Sequence, residues 1–67
     1  MEQATWQVKG MTCEHCVRAV TKAVQSVAGT ADVRVDLKSG RLVFKYQPGT
    51  DLEQIKANIA DAGYEVA

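Results

Sequence analysis

Residues 5–27 have the sequence TWQVKGMTCEHCVRAVTKAVQSV, and this stretch decides the fold. It opens with alternating apolar and polar residues that place Trp6 and Val8 on one face, and such alternation predicts a half-buried strand over residues 5–9. Gly10 ends that strand. The cysteine-containing segment that follows leads directly into a helical pattern, so a strand, a short loop and a helix are expected in succession.

The helical pattern rests on valines at three- and four-residue spacing, which share one helix face. They are Val17, Val20, Val24 and Val27. Arg18, Lys22 and Gln25 fall on the opposite face, which we expect to be exposed. Because valine is a mediocre helix former, packing must stabilise this helix. Gly29 is predicted to end it as a C-cap residue.

The middle of the chain has the pattern of a β-hairpin. Residues 31–37 and 41–46 both alternate between apolar and polar side chains, and the Lys-Ser-Gly of residues 38–40 has the chemistry of a turn. The side chains expected to face inward are Val33, Val35, Leu37, Leu42, Phe44 and Tyr46. A Pro-Gly pair at residues 48–49 then breaks the second strand.

The last part of the chain predicts a second helix and a short strand. Thr50 and Glu53 have the spacing of a capping box, in which each side chain satisfies a free backbone donor of the other residue. The apolar face of this helix consists of Leu52, Ile55 and Ile59. Gly63 is expected to stop the helix, and residues 64–66 are expected to form the last strand.

The predicted order of elements is β-α-β-β-α-β over a single domain of residues 1–67. This is the split βαβ, ferredoxin-like arrangement of the α+β class. It consists of a four-stranded antiparallel sheet with two helices on one face. The alternation in each strand agrees with it, because only one face of such a sheet is covered.

Charge and composition exclude several classes of function. The formal net charge is zero, so a clustered basic surface for nucleic acid is not expected. No apolar run approaches the roughly 20 residues that span a bilayer, so we expect no membrane insertion. If no further segment precedes residue 1, we expect a cytoplasmic protein. No catalytic constellation is visible, and the chain is predicted not to be an enzyme.

Cys13 and Cys16 lie three residues apart, where the loop becomes a helix. The first turn of a helix has unpaired N–H groups and a partial positive charge, which stabilise a thiolate. Thiolates bind soft ions such as Cu(I) in preference to hard cations. With His15 as the one histidine, the chain lacks the four ligands of a structural zinc site. A low-coordinate site for a transferable soft ion is therefore one interpretation of the cysteine pair.

A redox pair is the alternative interpretation of the same spacing. Thiolate activation also serves disulfide exchange, so the Cys-x-x-Cys spacing alone favours neither function. The predicted fold favours metal binding, because a thioredoxin-like domain needs a longer chain and a different order of strands and helices. Two inert buried cysteines are a third interpretation, which an exposed loop disfavours.

Residues 10–16, Gly-Met-Thr-Cys-Glu-His-Cys, resemble the signature of the heavy-metal-associated domain family. The resemblance covers nearly the whole chain, including the Ala-Gly-Tyr of residues 62–64. The family includes copper chaperones, the amino-terminal domains of copper-transporting P-type ATPases and mercury-binding domains. Among these, the chain is most similar to bacterial copper chaperones, which have a tyrosine at the position of Tyr64 and a histidine at that of His15.

The resemblance implies that Cys13 and Cys16 coordinate Cu(I), with Cys13 the more exposed ligand. It implies that Met11 points into the core and supports the loop, and that Tyr64 faces the metal site. For His15, the expected role is to tune the site or to complete a shared site in a dimer, and direct ligation within one chain is the alternative for both His15 and Met11. Packing alone is the alternative role for Tyr64.

The resemblance also implies transfer of Cu(I) to a partner of the same fold, such as the metal-binding domain of a copper-transporting P-type ATPase or another copper acceptor. Lys9, Arg18 and Lys22 are candidate docking residues for an acidic partner, and a merely solvated helix face is the alternative. We expect a monomer without metal, and the open coordination of two thiolates leaves room for a metal-bridged homodimer. The alternative functions are an ATPase amino-terminal domain, a mercury-handling domain and a thiol–disulfide oxidoreductase.

Overall fold

The computed structural model describes residues 1–67 and has the predicted β-α-β-β-α-β order. The elements are β1 (Glu2–Lys9), α1 (Glu14–Gln25), β2 (Thr30–Asp36), β3 (Arg41–Tyr46), α2 (Leu52–Asp61) and β4 (Glu65–Val66). The four strands form one antiparallel sheet in the order β2-β3-β1-β4, and both helices pack against one face of it. The predicted ferredoxin-like fold is therefore confirmed.

Strand β1 lies at the centre of the sheet and delivers the chain to the cysteine loop. Its first six residues pair with β3, where Trp6 is opposite Leu42, and its last two pair with β4, where Val8 is opposite Val66. The strand begins at Glu2, three residues before the predicted start, because Glu2 pairs with Tyr46 at the far end of β3. Pairing on both sides fixes the position at which β1 ends.

The core lies between the sheet and the two helices. Its buried members are Val8, Val20, Ala23, Val24, Leu42, Phe44, Ile55 and Ile59. All but Ala23 come from the predicted inward faces. Trp6 packs edge to face on Phe44, with ring centroids 4.9 Å apart. Since a fully buried aliphatic or phenyl side chain contributes roughly 1.5–3 kcal/mol, this small set supplies most of the stabilisation available to so short a chain.

The β2–β3 hairpin agrees with the prediction in its strands and differs in one inward residue. Val33 and Val35 are half-buried and pack against the core. Leu37, predicted to end the first strand, lies instead in the turn, because β2 stops at Asp36. A carboxylate oxygen of Asp36 accepts the backbone N–H of Lys38 at 3.1 Å, and this local bond starts the turn one residue early.

Helix α1 ends before the predicted C-cap at Gly29. The C-cap is Ser26, whose backbone N–H donates to the Lys22 carbonyl at 2.9 Å. Hydroxyl groups then satisfy the last carbonyls of the helix: Ser26 donates to Ala23, and Thr30 donates to Val24. Gly29 has a φ of 95° and belongs to the turn that leads into β2. The prediction at Gly29 was therefore wrong by three residues.

The start of α2 also differs from the predicted capping box. The N-cap is Asp51, whose side chain accepts the backbone N–H of Gln54 at 3.0 Å. Thr50 donates its hydroxyl to the Gln47 carbonyl and so belongs to the preceding turn. Glu53 lies on the exposed face, 3.9 Å from the ammonium group of Lys56. A carboxylate one residue later than Thr50 performs the capping role.

Hydrogen bonds hold the hairpin turn beside the end of β1, at the end of the sheet where the cysteine loop begins. The backbone N–H of Val8 donates to Gly40 at 2.8 Å, and the side chain of Gln7 donates to Ser39. On the helical side, the amide of Asn58 in α2 donates to the Ala23 carbonyl in α1. Neither helix has the length and apolar character that crossing a membrane requires.

Replacing Asp51 by Ala should lower the free energy of unfolding by about 1 kcal/mol, because the side chain that caps α2 is lost. Thermal or denaturant unfolding followed by circular dichroism measures this change. Glu53→Gln is the matched control, and its free energy of unfolding should stay within about 0.5 kcal/mol of the unchanged protein. A free energy of unfolding that Asp51→Ala leaves unchanged would contradict the assignment of Asp51 as the cap.

Candidate metal site

The loop between β1 and α1 begins at Gly10, where the chain turns away from the sheet. Gly10 has a φ of 97°, a conformation that side chains other than glycine rarely adopt. A β-carbon at this position would lie 3.6 Å from Cδ1 of the Tyr64 ring. The start of the cysteine loop therefore lies against the segment that joins α2 to β4.

Cys13 and Cys16 occupy the two ends of the first turn of α1. Cys13 is the N-cap residue with extended backbone, and the N–H of Cys16 donates to its carbonyl at 3.0 Å. The two sulfur atoms lie 3.7 Å apart, and both cysteines are free thiols. Cys13 is exposed and Cys16 is half-buried. One sulfur thus faces solvent, and the other is held at the base of the loop.

Hydrogen-bond donors surround the sulfur of Cys16 and stabilise its thiolate. A backbone hydrogen bond from Thr12, the phenol of Tyr64 and the backbone N–H of Cys13 together lower the pKa of Cys16 from 9.0 to about 6, while partial burial opposes them. The hydroxyl of Thr12 lies 3.8 Å from the same sulfur. Cys16 is therefore mainly a thiolate at neutral pH.

Tyr64 lies on the opposite side of the site from α1. The pKa of its phenol is raised mainly by hydrogen bonding to Cys16, because a negatively charged sulfur favours a phenol that keeps its proton. Partial burial of the phenol and the charges of both cysteines raise this pKa further. Tyr64 is half-buried against the core. Packing of the ring is therefore shown, and a role for the hydroxyl at the sulfurs stays a prediction.

Met11 and His15 have different surroundings from the two sulfurs. Met11 is half-buried and packs against the core below the loop. His15 is exposed on α1. No set of three or more His, Cys, Asp or Glu side chains lies close enough to hold a metal ion, so His15 does not join the two cysteines in one cluster. The arrangement offers an ion two sulfur ligands from one chain.

The three candidate docking residues are all exposed, and none forms an ion pair. Arg18 and Lys22 lie on the outer face of α1, and Lys9 lies at the end of β1 next to Glu65 of β4 in the sheet register. The two ion pairs in the structure are elsewhere, between Lys45 and Asp32 and within α2. These three cations are therefore free to contact another molecule.

Thr12 is a site residue that the sequence analysis quoted without giving it a role. Its hydroxyl and its backbone both approach the sulfur of Cys16. Thr12 precedes the N-cap of α1, so helical spacing does not predict this contact, and the turn of the loop brings it about.

Two sulfurs held 3.7 Å apart have the chemistry that soft metal ions prefer in a ligand. The fold and this thiol pair define a class of small domains that bind soft metals at the end of a ferredoxin-like sheet. The chain belongs to the heavy-metal-associated domain family, whose model matches residues 5–65.

Relatives of the chain include free-standing proteins and segments of much larger ones. It is 40% identical to the copper chaperone CopZ of Bacillus subtilis, over 100% of this chain and 99% of that protein. It is 41% identical to the copper-transporting ATPase 1 of Rhizobium meliloti, over 88% of this chain but 7% of that protein. A solved structure of a CopZ metallochaperone superimposes with a TM-score of 0.91 at 33% identity, covering 98% of this chain and all of the other.

The pKa of Cys16 should rise when the hydroxyl of Tyr64 is removed, because one of the donors that stabilise its thiolate is lost. In the Cys13→Ser variant, where Cys16 is the one thiol left, a titration of thiolate absorbance should give a higher midpoint when the change Tyr64→Phe is added. Tyr46→Phe is the control, since Tyr46 packs beside Phe44 away from the sulfurs. Equal midpoints with and without Tyr64→Phe would contradict the hydrogen bond.

Proposed function

We propose that this protein is a copper chaperone that binds Cu(I) between Cys13 and Cys16 and passes it to an acceptor by ligand exchange. The observation that carries the proposal is the pair of free thiols at the start of α1, in a chain similar to a copper chaperone over its full length. The ion is cargo, so the protein needs no catalytic group and acts as a binding and transfer module.

The chemistry of the donors supports Cu(I) over hard cations. Thiolate sulfur is a soft ligand, and Cu(I) is a soft ion that is stable with few ligands. The lowered pKa of Cys16 means that one ligand is already deprotonated at neutral pH, so binding there releases few protons. The exposed sulfur of Cys13 completes a site that an ion enters from solvent without passing through the core.

The asymmetry of the two sulfurs supports a route for transfer. Cys16 is held by several hydrogen bonds, while Cys13 is exposed. A thiolate from an acceptor attacks the under-coordinated ion to give a three-coordinate intermediate, and Cys13 is the ligand with the freedom to leave first. The ion then moves to the acceptor. Relative affinity sets the direction, because nothing in this chain supplies energy.

The acceptor we propose is a metal-binding domain of a copper-transporting P-type ATPase. The similarity to a short segment of such ATPases supports it, because two domains of one fold place matching thiol loops against each other. The free cations Lys9, Arg18 and Lys22 favour an acceptor surface that is acidic. Action in the cytoplasm belongs to the same proposal, since it follows from the chaperone role.

Titration of the reduced protein with Cu(I), without oxygen and against a strong Cu(I) chelator, should give one tightly bound ion per chain or per pair of chains. Cys13→Ser and Cys16→Ser should each abolish tight binding, because one sulfur alone is a weak site. Circular dichroism of both variants checks that the fold is unchanged. Tight binding retained by both variants would overturn the ligand assignment.

The same titration with Hg(II) and Zn(II) separates the alternatives. Weak Cu(I) binding with much tighter Hg(II) binding would assign the protein to mercury handling. A metal-free protein that binds no soft ion but reduces disulfides catalytically would be a thiol–disulfide oxidoreductase. The proposal requires Cu(I) to be held far more tightly than Zn(II), and no catalysis of disulfide reduction.

Reversing two charges on α1, in the variant Arg18→Glu with Lys22→Glu, should slow copper transfer to an ATPase domain without changing Cu(I) affinity. Charge complementarity acts mainly on the rate of encounter, so roughly tenfold slower transfer at low salt is expected. The matched control is Arg34→Glu with Lys45→Glu, which makes the same charge change on the open face of the sheet. Equal rates in both variants and the unchanged protein would discard the docking role.

A further inference from the structure

The edge of β1 that faces β4 is open along most of its length. Strand β4 pairs only with the end of β1, and beyond it the backbone N–H of Ala67 donates to the Gln7 carbonyl. Residues 2–6 have no strand beside them on that side. Since the backbone groups of successive residues in a strand point to alternate sides, the N–H and C=O groups of Gln3 and Thr5 face the same edge as the Gln7 carbonyl. These groups therefore have no hydrogen-bond partner within the chain.

The outer edge of β2 is irregular, whereas the open edge of β1 is regular. The register between β2 and β3 shifts between Ala31 and Arg34, and Asp32, within the shift, has a φ of 49°. A bulge of this kind twists an edge strand and keeps other chains from pairing with it. By contrast, β1 pairs with β3 without a shift from Glu2 to Gln7. The open edge of β1 is therefore the one with the spacing that an added strand requires.

The side chains beside the open edge carry one charge of each sign. Ala4 and Trp6 face the helices and are half-buried. The ammonium group of Lys56, on α2, lies 5.4 Å from the centre of the Trp6 ring, and its one ion pair is a 3.9 Å contact with the exposed Glu53. Glu2 is exposed and has no ion pair. The edge thus has an anion at its start and a cation four residues further along.

A second copy of β1 fits this edge in one register around a two-fold axis. With the axis between the two copies of Ala4, Gln3 of each copy exchanges two backbone hydrogen bonds with Thr5 of the other. The paired segments, residues 2–6, then stop short of the end of β4. An axis between the two copies of Thr5 would instead place Gln3 opposite Gln7, whose carbonyl is already bonded. The end of β4 therefore selects the register around Ala4.

The same register brings unlike charges together. Glu2 of each copy lies opposite Trp6 of the other copy, beside the Lys56 ammonium that covers that ring. The small side chains of Ala4 meet at the axis, and the residues that meet on the outer face are uncharged. Unlike charges across neighbouring strands stabilise the pairing, and this register places no like charges opposite each other. Charge and backbone geometry therefore favour the same partner.

We propose that two copies of this chain associate through the open edge of β1, in register around Ala4, to form one continuous sheet with four strands from each copy. The contact needs no metal and is independent of the proposed function. Because the two β1 strands are antiparallel, the six residues from Ala4 to Gly10 separate each cysteine loop from the axis, and the two loops lie about 40 Å apart. Both thiol pairs stay open to an acceptor. The paired segments are short, so the dissociation constant is on the order of a millimolar.

Amide hydrogen exchange of the reduced, metal-free protein, followed by NMR, tests the contact at its own atoms. The N–H groups of Gln3 and Thr5 should exchange severalfold more slowly as protein concentration rises, because dimerisation gives them carbonyl partners. Thr5→Pro removes one of these donors without removing a bond to β3, so it should abolish the slowing at Gln3. Circular dichroism checks that this variant is folded.

Charge exchange tests the register by sedimentation equilibrium of the metal-free protein at low salt. Glu2→Lys and Lys56→Glu each convert both ion pairs of the dimer into repulsive contacts, so each should weaken dimerisation about tenfold. The double variant restores both pairs with their ends exchanged, and its dimerisation constant should return to within about threefold of the unchanged protein. The controls are Asp61→Lys and Lys38→Glu, which make the same charge changes at the other end of α2 and in the hairpin turn. Both should dimerise like the unchanged protein.

Four results would overturn the contact. Exchange at Gln3 and Thr5 that does not depend on protein concentration would show that their N–H groups gain no partner. Slowing confined to β2 would assign the association to the other edge of the sheet. A double variant as weak as the single ones, or equal weakening in the controls, would remove the pairing of Glu2 with Lys56. A dimer that forms only with Cu(I) would show that the shared ion, and not the edge of β1, joins the two copies.

Discussion

Packing of α1 against the inner face of the sheet is the constraint on which the rest of this structure depends. With 67 residues the core is small, and the fully buried side chains of Val20 and Val24 meet those of Leu42 and Phe44 across a single layer. Because valine has a weak intrinsic preference for helix, α1 exists where it does mainly because of this contact. The contact fixes the start of the helix, and the start of the helix holds both sulfur atoms. Core packing and ion binding are thus connected by one rigid element.

The sequence predicted the order of elements and nearly all of the core, because periodicity reports which face of an element is covered. It predicted the ends of elements less well, and each error has a local cause. Gly29 was predicted to end α1, but a hydrogen bond from the backbone of Ser26 ends the helix three residues earlier. The Thr50–Glu53 pair was predicted to cap α2, but the neighbouring side chain of Asp51 makes the capping hydrogen bond. Several residues near a helix end have the chemistry to cap it, and the one that does so is decided by how the chain enters the next turn.

The site was also predicted only in part, because the sequence motif contains the two cysteines while the fold brings other residues next to them. The spacing of Cys13 and Cys16, their place at a helix start and the chemistry of sulfur all follow from sequence. The phenol that helps to lower the pKa of Cys16 comes from Tyr64, 48 positions later, and its approach depends on the packing of α2 and on the backbone turn at Gly10. Only the family resemblance pointed to Tyr64. The large displacement of the Cys16 pKa is a property of the folded chain, since donors from both sides of the loop contribute to it.

The N-cap of α1 has a consequence for local order. Cys13 takes the extended backbone of an N-cap residue, but its side chain makes no capping hydrogen bond, so the first amide groups of α1 lack the partner that a Ser, Thr or Asp would supply. The first turn is therefore the least firmly held part of a helix whose later turns are buried. Fraying concentrates there, at low energetic cost to the core. The turn that carries both sulfur atoms can therefore adjust without disturbing the buried turns that hold the rest of α1 against the sheet.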